Sequence, residues 1–121
     1  GDNMSTEKDP HGKDQHEPGA KMDANKPRMG LVLLGFSRAL VEVCKVGTAG
    51  AAKYSDSGWE QVPNGVERYT DAMLRHALGV GDEIVSHEAQ TAWNALARLE
   101  LLLRQREVNH RWEAEKVGCR S

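Results

Sequence analysis

Aromatic side chains are scarce in this chain: one Phe, two Tyr and three Trp among 121 residues. A sheet sandwich wants more aromatic and β-branched residues than that. The apolar 39% of the sequence is mostly Ala, Leu and Val, which points to packed helices. Cysteine is scarcer still. Cys44 and Cys119 lie in unlike surroundings and match neither a disulfide framework nor a zinc spacing, so a reducing, cytoplasmic setting is expected. No apolar run approaches the ~18 residues that span a bilayer; the longest, LVLLGF, meets Ser37 and Arg38 at once. The N-terminus lacks the basic-then-apolar order of a signal peptide, and a soluble protein with no membrane partner is expected. Charge of one sign is also lacking. A formal net charge of −2 creates no field that draws in a long nucleic acid. There is no phosphate-cradling P-loop, dinucleotide glycine fingerprint, HExxH or nucleophile elbow.

What is present divides into three parts. Residues 1–28 are a run of Lys, Asp, Glu, His, Gly and Pro that cannot bury enough surface to offset the entropy of ordering it, so a disordered polar tail is expected. Residues 29–106 read as a helical domain, and 107–121 as a polar helical extension and tail. Within the domain, Leu33, Phe36, Leu40, Val43 and Cys44 recur at helical spacing and predict a helix over 30–46, stopped by Gly47. Tyr69, Ala72, Met73, His76 and Ala77 predict a second over 66–78, broken by Gly79-Val80-Gly81. Ala89, Ala92, Trp93, Leu96, Leu99 and Leu103 predict a third, starting near 82–86 and reaching at least Arg104. The expected fold is an all-α bundle of three main helices. So small a core supplies only a few kcal/mol, which predicts a homo-oligomer.

Between the first two helices lies GTAGAAKYSDSGWEQVP, residues 47–63, which sets Lys53, Tyr54 and Trp59 among glycines and serines. Either these rings cap the open end of a thin bundle or they form one wall of a ligand site. Other side chains with chemistry to offer sit on the helices. Glu42 lies beside the first apolar stripe. Asp71 and Arg75, four apart, can pair on one face. His76 falls on an apolar face, where a hydrogen-bonded core histidine is the plain explanation. Asp82 and Glu83 complement the dipole of the third helix. His87, Gln90, Thr91 and Asn94 form a polar stripe on that helix. It lies away from the leucines, and solvent exposure explains it simply. Amide and imidazole groups nevertheless suit base reading or metal-bound water better than mere solubility.

The order of segments adds to this. GAKMDANKPRMGLV, GAAKYSDSGW, RYTDAMLRH and SHEAQTAWNAL follow one another over about residues 19–104. The series resembles the family of dATP/dGTP diphosphohydrolase N-terminal domains, common in phages. The resemblance implies an all-α domain that handles deoxynucleoside triphosphates with a divalent metal, with matching positions at Glu42, Lys53, Tyr54, Trp59, Arg75, His76, His87 and Asn94. On that footing the expectation is a metal-dependent phosphohydrolase that releases pyrophosphate from purine deoxynucleotides. Glu42, Asp82 and His87 would hold Mg²⁺ or Mn²⁺, with His76 a fourth ligand or a general base. Lys53 and Arg75 would serve the phosphates, and Tyr54, Trp59 and Asn94 the rest of the nucleotide. The competing expectation is a nucleotide-sequestering or partner-blocking protein on the same scaffold.

Overall fold

Where the apolar pattern predicted one helix over 30–46, two form. The computed structural model describes residues 9–81 and 86–118. Among them are four α-helices, α1 (Met29–Gly35), α2 (Ser37–Lys53), α3 (Gly65–Ala77) and α4 (His87–Gly118), with a single 3₁₀ turn at Gly58–Gln61 and no strand. The all-α expectation holds, with four helices in place of three. The chain divides into two units, Gly1–Phe36 and Ser37–Ser121.

In the first unit, residues 9–28 carry turns but no helix. The Asp9 carboxylate accepts the backbone N–H groups of Lys21 (2.9 Å) and His11 (2.8 Å), and these bonds hold its pKa below the ordinary carboxylate value. The apolar side chains of α1, Leu31, Val32, Leu33 and Leu34, are exposed.

In the second unit α3 and α2 both pack on α4, and the 3₁₀ turn touches α3 and α4. The sequence predicted that Gly47 would end α2. The helix instead runs through Gly47 and Gly50 to Lys53. The reason is packing. A Cβ on Gly47 would sit 2.9 Å from Trp93 Nε1, so the missing side chain lets α2 approach α4. The turn before α3 uses Pro63 and Asn64, the latter left-handed (φ 55°, ψ 40°), a conformation Asn tolerates better than most residues. At its other end α3 closes in a Schellman motif: the N–H of Gly79 bonds to the His76 carbonyl and that of Val80 to the Arg75 carbonyl. Gly79 supplies the positive φ, 67°, that the motif needs.

The core is small. Among the described residues, Val46, Ala89 and Ala97 are the buried apolar side chains, and none of the large side chains is fully buried. Half-buried aromatics fill the rest. Trp59, Tyr69 and Trp93 meet edge to face, with ring centroids 5.7 to 6.5 Å apart. Polar ties join the elements around them. Arg98 Nε donates to Thr70 Oγ1 at 2.7 Å across α3 and α4. Arg104 pairs with Glu60 and Glu100, each at 2.7 Å, and lies over the Trp59 ring.

The two faces of α4 reverse the expectation from sequence. The polar stripe lies inside: His87, Gln90 and Thr91 are half-buried and Asn94 is buried, 5% exposed. The leucine stripe lies outside, with Leu96, Leu99 and Leu103 each about half exposed. The hydroxyl and amide groups that turn inward satisfy themselves on their own helix. Thr91 Oγ1 donates to the His87 carbonyl and Asn94 Nδ2 to that of Gln90, which removes much of the cost of burying them.

Candidate functional site

The inward polar face of α4 forms one wall of a cleft of about 890 Å³. The end of α2 and the loop after it form a second wall, and α3 a third. On α3 the lining residues are Arg68, Tyr69, Asp71, Ala72, Arg75 and His76, spaced by three and four and therefore on one side of the helix. The volume falls in the range of small-molecule sites.

Eight of the residues singled out from sequence come together here: Lys53, Tyr54, Trp59, Asp71, Arg75, His76, Gln90 and Asn94 all line the cleft. Lys53 ends α2 and sets its ammonium 5.2 Å from the centre of the Tyr54 ring. Arg75 and His76 occupy the last turn of α3. The Asp71–Arg75 pair expected from their spacing does not form. No described carboxylate forms an ion pair with Arg75 or with Lys53, although those of Asp56 and Asp71 line the same cleft. Asn94 uses its amide N–H₂ on its own helix. Its carbonyl oxygen is the other polar group that this buried, cleft-lining side chain carries.

Trp59 stands at both places weighed from sequence, the cleft wall and the aromatic cluster. The Tyr69 hydroxyl donates to its carbonyl at 2.8 Å. Burial pushes the Tyr69 phenol above its ordinary value, so this bond persists across the neutral range. A raised folded value means its contribution is complete below about pH 10 and fades as the phenol ionises above that.

Of the three expected metal ligands, Glu42 and His87 lie among the described residues. Glu42 is exposed on α2, pairs with Lys45 at 3.1 Å and does not line the cleft. Asp82 lies outside the described residues. His87 is the first residue of α4, and its Nδ1 lies 3.1 Å from Nδ1 of His76. Among the described residues, no group of three or more His, Cys, Asp or Glu side chains converges. Sequence reasoning passed over Asp56, Tyr69 and Trp93 as site residues, yet all three line the cleft. Tyr69 and Trp93 looked like core, and they are core as well. Asp56 looked like one more loop carboxylate.

No helix among the described residues is long and apolar enough to cross a membrane. No curated protein and no solved structure matches the chain. The sequence model for dATP/dGTP diphosphohydrolase, N-terminal, matches residues 16–111, a span that takes in every lining residue of the cleft. By that match over most of its length, the chain belongs to the dATP/dGTP diphosphohydrolase N-terminal family.

Proposed function

We propose that the cleft binds a purine deoxynucleoside triphosphate and that the protein hydrolyses it to the monophosphate and pyrophosphate with a divalent metal ion. The observation that carries this reading is the presence of Lys53 and Arg75, which no described carboxylate pairs, in one cleft with indole surface and the Asn94 amide. Triphosphate charge matches the cations. A purine ring matches the indoles of Trp59 and Trp93, with stacking worth on the order of 1–3 kcal/mol per base. The exocyclic amino group of adenine, or the N–H groups of guanine, match the Asn94 carbonyl. Family membership supports the substrate class.

In the reaction, water attacks the α-phosphorus and the bond to the bridging oxygen of the β-phosphate breaks. Negative charge builds on the departing pyrophosphate. Lys53 and Arg75 are the groups to neutralise it, where preorganised cations contribute most. The Asp56 and Asp71 carboxylates and the His76 imidazole lie on the cleft wall but do not converge on one point, so phosphate oxygens and water would make up most of the shell of a divalent ion there. The ion would supply further charge neutralisation on the phosphates.

Incubation with each of the four deoxynucleoside triphosphates and Mg²⁺ or Mn²⁺, followed by separation of products, tests the proposal. The expected result is monophosphate and pyrophosphate from dATP or dGTP, with little from the pyrimidines. Binding without product under every metal condition overturns hydrolysis and leaves sequestration.

Self-association of this chain belongs to the same proposal. The strip of Ala92, Leu96, Leu99 and Leu103 lies on the side of α4 away from α2 and α3 and follows the three–four spacing of a helix–helix seam. A domain with so few buried side chains gains most from covering that strip with a second copy. Sedimentation should show a species larger than the monomer that Leu99→Glu returns to monomer; a monomeric wild type overturns this part.

A further inference from the structure

Two imidazoles from different helices face each other at one edge of the cleft, and the phosphate-binding cations do not account for them. His76 closes α3 and His87 opens α4. Their Nδ1 atoms are 3.1 Å apart, their ring centroids 5.3 Å apart and their planes tilted by 42°. Both side chains are half-buried. Two neutral imidazoles cannot present lone pairs to each other at this distance, so one Nδ1 must carry the hydrogen that lies between them. A first-row divalent ion takes imidazole nitrogen at about 2.0–2.1 Å, which sets two neighbouring nitrogens on one ion roughly 2.9–3.4 Å apart. The observed separation falls within both ranges, and exchange of one arrangement for the other needs only a small rotation of the rings.

The helices hold that separation in place. The Schellman motif fixes the backbone of α3 at Arg75 and His76. The Arg98–Thr70 bond and the Tyr69–Trp93 contact fix α3 against α4. Two nitrogen donors preorganised on packed helices are what a metal site requires and a flexible surface pair lacks.

We infer that His76 and His87 form a two-nitrogen site for a first-row transition-metal ion, its remaining positions open to water and to phosphate oxygens of a nucleotide in the adjoining cleft. The nitrogen donors select Mn²⁺, Co²⁺ or Zn²⁺ over Mg²⁺, which prefers oxygen. When the ion enters, the hydrogen between the rings shifts to Nε2 of its own ring, so metal binding is a change of tautomer. His76 is thereby a ligand and not the general base. The inference rests on the proposed hydrolase only for the phosphate that completes the shell; the protein site stands without it.

The test uses the full chain and the metal alone. Substoichiometric Mn²⁺ should broaden the imidazole NMR signals of His76 and His87 before those of His11, His16 and His110. Zn²⁺ should move the Nδ1 nitrogen shifts of the two rings and raise the melting temperature. His76→Gln and His87→Gln should each weaken Zn²⁺ binding by at least about tenfold, and their melting temperatures without metal show whether either variant has simply lost its fold. Broadening that begins at another histidine overturns the inference, as does Zn²⁺ affinity unchanged in two folded variants. Metal binding at the pair without nucleotide turnover upholds the site and removes only the hydrolase reading.

Discussion

Trp93→Ala is expected to lower the unfolding free energy by about 3 kcal/mol, near the low end for large aromatic truncations because the ring is half-buried. Few substitutions in this chain should cost more. The buried apolar side chains are Val46, Ala89 and Ala97, none of which brings much surface. Trp93 does. Its ring meets Tyr69 at 5.7 Å and Trp59 at 5.9 Å and fills the space that Gly47 leaves on α2. It thus joins the 3₁₀ turn, α3, α4 and α2 at one point. A natural domain is stable by about 5–15 kcal/mol, and this core argues for the lower part of that range. Urea unfolding followed by circular dichroism measures the loss. A change below about 1 kcal/mol, the centre of ordinary point mutations, would mean that the aromatic cluster is not the centre of the fold.

The second large effect is on chemistry and leaves stability alone. Arg75→Ala and Lys53→Ala should each reduce kcat/KM for the preferred nucleotide roughly 100-fold, the scale of losing one charge-stabilising donor. Both side chains are exposed and neither has an ion-pair partner among the described residues, so each variant should unfold within about 0.5 kcal/mol of the parent. The contrast with Trp93→Ala separates cleft from core. Activity kept by both variants would place the triphosphate elsewhere. Loss of stability in step with activity would show that the two cations act through the fold.

Much of this was legible in the sequence, and the failures share one cause. The bounds of α3 were readable to within one residue because its signals are local: Pro63-Asn64-Gly65 before it and Gly79 after it. The family was legible from the order of four motifs, each with its own spacing. α2 was misjudged at Gly47, where a glycine that permits close approach looks the same in sequence as one that stops a helix. Only the position of Trp93, 46 residues away, distinguishes them. The orientation of α4 was misjudged for a similar reason. The polar stripe was correctly grouped, but Ala89 and Trp93 turn inward with it while the leucines face out, and nothing in 87–103 alone says which face meets the other helices. Lys53 and Trp59 drew attention as unusual residues in a loop. Asp56 did not, since a carboxylate on a loop is ordinary until the neighbouring elements are in place.

The turn at 63–65 has a consequence for how this protein can vary in length. Gly65 lies so close to α4 that a Cβ there would be 2.8 Å from Leu101 Cδ1, so α3 begins from a pinned point. Each residue along an α-helix advances the side chain by about 100°. An insertion of one residue between Gly65 and Asp71 would put the exposed Leu74 in the place of Arg75, Arg75 in that of His76, and turn His76 out of the cleft. Length changes there are tolerable only in steps that restore the phase, close to a whole heptad. The chemistry of the cleft is therefore tied to a residue count as firmly as to residue identity.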